Sequence, residues 1–295
     1  MNEISIIIPT LSRENQLYNT IKYLSSQLFI KFEIIIIDQN KKFNLQYYKK
    51  IQTYFNKISL KIIRQKEPNA SKARNEGVKI SKYEIVLFLD DDVKIKNKLF
   101  LHNHVKNYIN SKNFITAGKI LDFPFEFQNR KINIKNYYFF SLNNNKKIKL
   151  YGIGRSCNLS VRKNVYFDLG GMDENFVNGA HKEETDFLFR AKKKKIKVLF
   201  DPKCCLIHLK NKTGGIRSFN LISKIFYSMF GDLYFSMKHF FNSNLILNIY
   251  FFLRRFFINR NSINIYNFIV TLLVFFPAFF YAISIQTKNF ILKKK

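Results

Sequence analysis

The stretch EIVLFLDDDV, from Glu84 to Val93, decides the fold of this chain. Its apolar run, Ile85 to Leu89, ends directly at three consecutive aspartates. A short continuous apolar run bounded by polar residues is typical of a strand that is buried on both faces of a parallel sheet. Ligands of such sheets bind beyond the carboxyl ends of the strands. The aspartates at 90–92 therefore form the first candidate site.

Three similar runs precede this one and alternate with segments of helical spacing. The runs are EISIII (Glu3 to Ile8), FEIIII (Phe32 to Ile37) and LKII (Leu60 to Ile63), and the helical segments span residues 13–27, 44–55 and 70–80. This alternation predicts an α/β fold in which helices flank a mostly parallel sheet. Residues 122–150 are rich in Asn, Lys and Phe, and we expect a long loop or insertion there.

The charge of the chain is strongly positive, with 50 Lys and Arg against 20 Asp and Glu, a net charge of +30 over 295 residues. Such a charge attracts polyanions, including nucleic acid, anionic lipid and phosphorylated ligands. The sequence carries no zinc-finger or RNA-recognition signature, so nucleic acid is not an expected partner. The three cysteines, at 157, 204 and 205, form no CxxC pair, and we expect reduced thiols in a cytosolic compartment.

The last quarter of the chain differs from the rest, and we expect a catalytic domain at 1–215 followed by a hydrophobic, basic helical region at 216–295. Polar residues recur every three or four positions from Asn220 to His239, which suits a helix in a membrane interface. Residues 263–285 carry no charge and reach the roughly 20 residues that span a bilayer. Basic residues flank both ends, so the orientation stays open. A re-entrant or interfacial helix, a soluble helical subdomain and a dimer interface are the alternatives.

Two acidic clusters carry the candidate chemistry. Asp90, Asp91 and Asp92 repel one another, and a divalent cation such as Mg²⁺ or Mn²⁺ would neutralise them. A solvated acidic turn is the plain alternative. The second cluster lies in KEETDFLFR, from Lys182 to Arg190. On a helix its three acids, Glu183, Glu184 and Asp186, cannot all face one way, because neighbours lie about 100° apart.

Six segments in this order resemble the inverting, nucleotide-sugar-dependent glycosyltransferases of family 2, which have the GT-A fold, a Rossmann-like sheet. The resemblance covers residues 4–208. The segments are ISIIIPTLSRENQL (Ile4 to Leu17), FEIIIIDQN (Phe32 to Asn40), NASKARNEG (Asn69 to Gly77), EIVLFLDDDV (Glu84 to Val93), GGMDENF (Gly170 to Phe176) and KEETDFLFR (Lys182 to Arg190).

The resemblance implies a role for each matching residue. It assigns binding of the nucleotide sugar to Pro9, Thr10, Arg13, Asp38, Arg74, Asp90 and Asp91, and binding of a metal ion to Asp92, Asp90 and His208. Asp38 resembles the aspartate that accepts a hydrogen bond from the base, and a helix cap is its alternative. Arg74 resembles an arginine near the phosphates, and an exposed helix charge is its alternative. For His208 the alternative is a structural histidine.

The resemblance also implies a catalytic base. The family usually has Glu-Asp at the position where this chain has Glu183-Glu184, so Glu184 takes the place of the base. Glu183 and Asp186 remain candidates, and acids at a helix N-terminus also favour its dipole.

The implied activity is a hexosyltransferase that uses Mn²⁺ or Mg²⁺ to move a sugar from a nucleotide-sugar donor to a glycan or lipid-linked acceptor. The expected setting is cell-surface polysaccharide or lipopolysaccharide biosynthesis at the cytoplasmic face of the membrane, with peripheral or single-pass attachment. A basic nucleic-acid-binding protein and a membrane scaffold with a degenerate transferase domain are the competing hypotheses. A polymerising synthase is less favoured, because its Gln-x-x-Arg-Trp motif needs a Trp and the chain has none.

Overall fold

The computed structural model describes residues 3–109, 114–123, 144–178, 181–211, 213–215, 220–240 and 265–294. Within these ranges the chain forms nine strands and eight α-helices. The strands are β1 (Glu3–Thr10), β2 (Lys31–Asp38), β3 (Ser59–Arg64), β4 (Ile85–Leu89), β5 (Val93–Lys94), β6 (Ile115–Asp122), β7 (Ile148–Leu150), β8 (Asn158–Arg162) and β9 (Val198–His208). The helices are α1 (Glu14–Ser25), α2 (Leu45–Tyr54), α3 (Ala70–Ile80), α4 (Phe100–Lys106), α5 (Lys163–Asp168), α6 (Glu183–Lys193), α7 (Leu221–Phe240) and α8 (Ile265–Lys294).

The strands form one sheet in the order β3-β2-β1-β4-β8-β6-β9-β5, and β7 pairs with β9. Strands β1 to β4 are parallel, as the alternation of runs and helices predicts, while the strands that follow pair in both directions. The α/β class expected from the sequence is confirmed. The carboxyl ends of β1, β2 and β4 lie at one edge of the sheet, where Thr10 is paired in register with Asp38.

Two local predictions are wrong. Strand β3 is not buried on both faces, because it is the first strand in the sheet order and its residues are half-buried or exposed. Within the segment expected to be a loop, Ile148–Leu150 is strand β7, which pairs antiparallel with the start of β9. Asp122, the first residue of that segment, is the last residue of β6, and residues 124–143 lie outside the described residues.

The pairing of β6 with β9 contains a register shift that positions the site. Gly118 pairs with Asp201, but the next residue, Lys119, pairs with Cys205. One step along β6 thus corresponds to four along β9, so three residues of β9, at 202–204, are extra. A side chain at Gly118 would place its Cβ 2.2 Å from the carbonyl oxygen of Cys204. The β-bulge therefore needs glycine at this point, and it brings the end of β6 opposite His208.

The chain divides into two compact units, residues 1–173 with 184–215 and residues 174–183 with 216–295. In the second unit α7 packs against α8, and the ring centroids of Phe230 and Tyr281 are 4.8 Å apart. Thr271, Val274, Ala278 and Ala282 give α8 a buried stripe with helical spacing. Other apolar side chains of the same helix are exposed, among them Leu273, Phe276 and Phe280. Residues 271–289 are long and apolar enough to cross a membrane, by length and composition.

Candidate active site

The three aspartates that follow β4 have different partners. Asp91 and Asp92 are buried, whereas the side chain of Asp90 is 31% exposed. Asp91 accepts a hydrogen bond from the hydroxyl of Thr10 at 2.7 Å and pairs with Arg13 at 2.9 Å. Asp90 pairs with Arg74, whose Nη2 lies 3.5 Å from its Oδ1. Arg74 is itself buried, so it is not an exposed helix charge. Burial, together with the neighbouring charge of Asp92, raises the pKa of Asp91.

Arg13 joins the aspartates to the segment that follows β9. Its Nη1 lies 2.9 Å from Asp91 and 3.1 Å from Asp92, and its other nitrogens donate to the carbonyl oxygens of Thr213 and Gly214. Burial alone would lower its pKa, but the charges of Asp91 and Asp92 raise the pKa of Arg13 above its ordinary value. The guanidinium thus holds two carboxylates and a loop together, and its role toward a nucleotide stays a prediction.

His208, the last residue of β9, lies beside these acids. Its Nε2 is 3.3 Å from Oδ1 of Asp92 and 3.7 Å from Oδ2 of Asp90. Burial lowers the pKa of an imidazole, but here the hydrogen bonds to Asp122 and Asp92 outweigh burial and raise the pKa of His208 to about 9. For Asp92 burial acts in the other direction and raises the pKa. His208 and Arg13 outweigh burial and lower the pKa of Asp92 to about 2.

Asp90, Asp92 and His208 fit a divalent cation. Each offers one ligand atom, and these atoms all lie within 4.8 Å of one another. Carboxylate oxygens suit Mg²⁺ and Mn²⁺, and imidazole is a common ligand of divalent transition metals. The sequence prediction names the same three residues as metal ligands, and the structure brings them together.

Two further residues of this site were not found from the sequence. Asp122, at the end of β6, lies 3.1 Å from Nδ1 of His208. Arg155 donates from Nη1 to both carboxylate oxygens of Asp122, at 3.0 and 3.1 Å. Burial raises the pKa of Asp122. The hydrogen bond to His208 and the charges of Arg155 and Lys210 outweigh burial, so the pKa lies below its ordinary value. Its position at the end of a strand is the available signal, and it was missed because β6 itself was not predicted.

The proposed nucleoside end of the site lies at the carboxyl ends of β1 and β2, where Pro9 and Thr10 precede the loop to α1. Asp38 is fully buried there and accepts a hydrogen bond from the backbone N–H of Asn40 at 2.7 Å. Burial raises its pKa. Asp38 does not cap the next helix, because the side chain of Asn44 does so.

The acids of α6 have distinct surroundings. Asp186 is fully buried and pairs with Arg190 at 2.8 Å, and Arg190 also donates to the carbonyl oxygen of Gly171. Asp186 therefore anchors its helix, and a catalytic role for it stays a prediction. Glu183 is buried and Glu184 is half-buried.

The buried thiol of Cys157 lies within reach of charges from both acidic clusters. Burial raises the pKa of the Cys157 thiol above its ordinary value, and the negative charges of Asp90, Glu184 and Asp122 add to the rise while Arg155 opposes it. Glu184 and the metal-site carboxylates thus act on the same buried thiol.

Two solved structures illustrate the proteins that share this fold. Staphylococcus aureus TarS 1–349 in complex with UDP-GlcNAc superposes with a TM-score of 0.62 at 18% identity, covering 94% of this chain and 81% of that one. The mannosyltransferase PcManGT from Pyrobaculum calidifontis, in complex with GDP-Man and Mn²⁺, has a TM-score of 0.60 at 11% identity, covering 99% and 80%. At these identities the likeness defines the fold, which is the GT-A fold.

The sequence comparison goes one step further than the fold. The model of glycosyl transferase family 2 matches residues 5–168, more than half of the chain. This chain belongs to glycosyl transferase family 2.

Two individual proteins that resemble the chain in sequence match it over less than half of its length. Poly(ribitol-phosphate) beta-N-acetylglucosaminyltransferase TarP of Staphylococcus aureus (strain N315) is 35% identical over 94 residues, which are 31% of this chain and 29% of that protein. The hyaluronan synthase of Pasteurella multocida is 31% identical over 118 residues, 39% of this chain and 12% of that protein. The matched region thus spans less than a third of either relative.

Proposed function

We propose that this chain transfers a hexose from a nucleotide-sugar donor to a hydroxyl group of a glycan or lipid-linked acceptor, with inversion of the anomeric configuration. The meeting of Asp90, Asp92 and His208 at the end of β4, in a chain of family 2, carries the proposal. The named relatives support it, since TarS binds UDP-GlcNAc, PcManGT binds GDP-Man with Mn²⁺, and TarP acts on poly(ribitol-phosphate). The proposed setting is cell-surface polysaccharide or lipopolysaccharide biosynthesis.

In the proposed reaction Glu184 accepts the proton of the acceptor hydroxyl while the hydroxyl oxygen attacks the anomeric carbon. The attack comes from the face opposite the leaving diphosphate, so a single displacement inverts the configuration. The ion pair of Asp186 with Arg190 holds α6, and thereby Glu184, in place. Bound to Asp90, Asp92 and His208, Mn²⁺ or Mg²⁺ would supply positive charge beside the leaving group.

At the other end of the donor, Asp38 accepts a hydrogen bond from the N–H group of the base. Its carboxylate is buried at the end of β2, next to Thr10 of β1. Arg74, which pairs with Asp90, is the residue that we propose for contact with the diphosphate.

The donor is identified by screening UDP-, GDP- and dTDP-sugars for hydrolysis and transfer with Mn²⁺ or Mg²⁺ by the full chain. We expect one nucleotide class to be turned over, and the turnover to stop in EDTA. Hydrolysis of none of them, with a folded protein, would contradict the proposed activity.

The base is tested with Glu184→Gln and, as the matched control, Glu183→Gln. Loss of a general base costs roughly 10²- to 10⁴-fold in rate, so we expect Glu184→Gln to remove transfer while donor affinity is retained. Glu183→Gln should keep most of the turnover. Wild-type turnover in Glu184→Gln would show that the base lies elsewhere. Asp92→Asn should abolish transfer as well, through loss of the cation.

We further propose that the chain works at the cytoplasmic face of the membrane, attached through α8. That helix exposes three large apolar side chains, Leu273 (68%), Phe276 (56%) and Phe280 (63%). Contact of so much apolar surface with water is unfavourable, and such patches mark interaction sites. The basic residues around the helix suit anionic lipid headgroups. Either peripheral attachment or a single span would bury these side chains.

Attachment is tested by sedimentation of the full chain with anionic vesicles. The double variant Leu273→Glu/Phe276→Glu should remain in the supernatant, because glutamate is costly in an apolar layer and is repelled by anionic lipid. Leu45→Glu is the matched control, since Leu45 is an exposed apolar residue of the catalytic unit. Equal sedimentation of both variants would exclude this face of α8 as the attachment surface.

A further inference from the structure

We infer that Asp122 is a positioning residue for the metal site, which acts by orienting the imidazole of His208. The inference rests on the proposed function, because it presumes that His208 binds a cation. Oδ1 of Asp122 lies 3.1 Å from Nδ1 of His208, on the opposite side of the ring from Asp90 and Asp92. The carboxylate thus contacts His208 through Nδ1, whereas Asp90 and Asp92 lie by Nε2.

The contact determines which ring nitrogen is available. An ionised carboxylate only accepts hydrogen bonds, so the proton between Asp122 and His208 belongs to Nδ1. With Nδ1 protonated, a neutral His208 has its lone pair on Nε2, the nitrogen that faces Asp90 and Asp92. Metal-binding histidines commonly donate their second N–H to a carboxylate in this way, which fixes the tautomer and the ring orientation.

Asp122 is itself held in place. Nη1 of Arg155 donates to both of its oxygens, and Nζ of Lys210 lies 3.5 Å from Oδ2. Nη2 of Arg155 is 3.3 Å from Nδ1 of His208, a longer distance than that from Nδ1 to Asp122. Arg155 can donate but not accept, so its contact with Nδ1 would need an unprotonated nitrogen. The shorter contact of Nδ1 with the carboxylate of Asp122 favours the protonated form, and Arg155 neutralises that carboxylate.

The β-bulge brings the two residues together. Asp122 and His208 are register partners because three extra residues of β9 follow Asp201. Continued in the register of Gly118 and Asp201, Asp122 would lie opposite Cys205 instead. Asn158 closes the bulge by donating to the carbonyl oxygens of Lys119 and Cys204. The register shift thus places the carboxylate of Asp122 beside Nδ1 of His208.

The experiment measures binding of Mn²⁺ alone to the full chain, by the electron paramagnetic resonance signal of the free ion. The variants are Asp122→Ala, Asp122→Asn, His208→Ala and the two double variants with His208→Ala. Substitution of a residue that hydrogen-bonds a metal ligand typically costs roughly 10- to 100-fold in metal affinity, and we expect a loss of that order in Asp122→Ala. Glu33→Gln is the control, because Glu33 is a buried, ion-paired carboxylate at the other end of the sheet.

The double variants separate positioning from a direct effect of charge. If Asp122 acts through His208, its substitution weakens Mn²⁺ binding in the wild type but not further in His208→Ala. Additive losses would overturn the inference, and so would unchanged affinity in both Asp122 variants. Asp122→Asn keeps the shape of the side chain and serves if Asp122→Ala does not fold. Absence of Mn²⁺ binding in the wild type would overturn the metal site itself.

Discussion

The two halves of the sheet differ in where their buried polar groups lie. The parallel half, strands β1 to β4, has an interior of apolar side chains such as those of 34–37 and 85–89, and its buried polar side chains, such as Ser5, Glu33 and Asp38, lie toward the strand ends. The mixed half, strands β5 to β9, buries Thr116, Asn158 and Ser160 completely, together with His104 of α4. Apolar packing tolerates small changes of shape, whereas hydrogen bonds fix which atoms meet. The mixed half, whose register places His208, is therefore the half in which position matters most.

This contrast predicts that an added methyl group is tolerated better in the parallel half than in the mixed half. In Gly118→Ala the new Cβ would meet the backbone oxygen of Cys204 at 2.2 Å and Nδ2 of Asn158 at 2.3 Å. In Gly77→Ala its three nearest atoms would all belong to the side chain of Ile7, the first at 2.4 Å, and alanine improves the helix by about 1 kcal/mol. We expect Gly118→Ala to lower the free energy of unfolding by about 3 kcal/mol or more and Gly77→Ala by less, measured in urea.

If Gly77→Ala costs as much as Gly118→Ala, the proposed difference between the halves is wrong. Even if Gly118→Ala destabilises the protein less than we expect, it should weaken Mn²⁺ binding, because the register of His208 depends on this position.

Removal of one buried amide should cost more than removal of one buried methylene group. Asn158 donates to the carbonyl oxygens of Lys119 and Cys204, and its Oδ1 lies 3.0 Å from Nε2 of His104. Asn158→Ala leaves buried polar groups without these bonds, and we expect a loss of about 3 kcal/mol. Ile36→Val in the parallel half should cost roughly 1 kcal/mol. Thermal and urea unfolding of the two variants provide the comparison, and equal losses would contradict it.

The last predicted effect is an acid sensitivity of the mixed half. Burial lowers the pKa of His104 to about 4, against an ordinary value of 6.5. Between these values the unfolded chain binds a proton that the folded chain does not, so stability falls as the pH falls through this window. We expect about 2 kcal/mol of this loss between pH 7 and pH 5 to be absent from His104→Gln. Parallel stability profiles of wild type and variant would remove His104 as the cause.

The sequence predicts the parallel half well, because each run of apolar residues indicates its own strand. The acids of 90–92 could be named as candidates because they end such a run, and His208 because the family resemblance points to a histidine there. Asp122 could not, because its contact with His208, 86 residues further along the chain, arises from a register shift. Arg13 shows a second limit: its type and place were recognised, but its pairing with Asp91 and Asp92 depends on the folded loop.

The bulge of β9 also provides a natural reporter. Cys205 immediately follows its extra residues and is the partly exposed member of the three cysteines, all of which are described, while Cys157 and Cys204 are buried. Burial raises the pKa of Cys205 as well, so its thiol reacts slowly but remains the accessible one. A fluorescent or fluorinated thiol reagent should therefore label the native protein at this one position. Its signal would record strand register in solution without any change to the sequence.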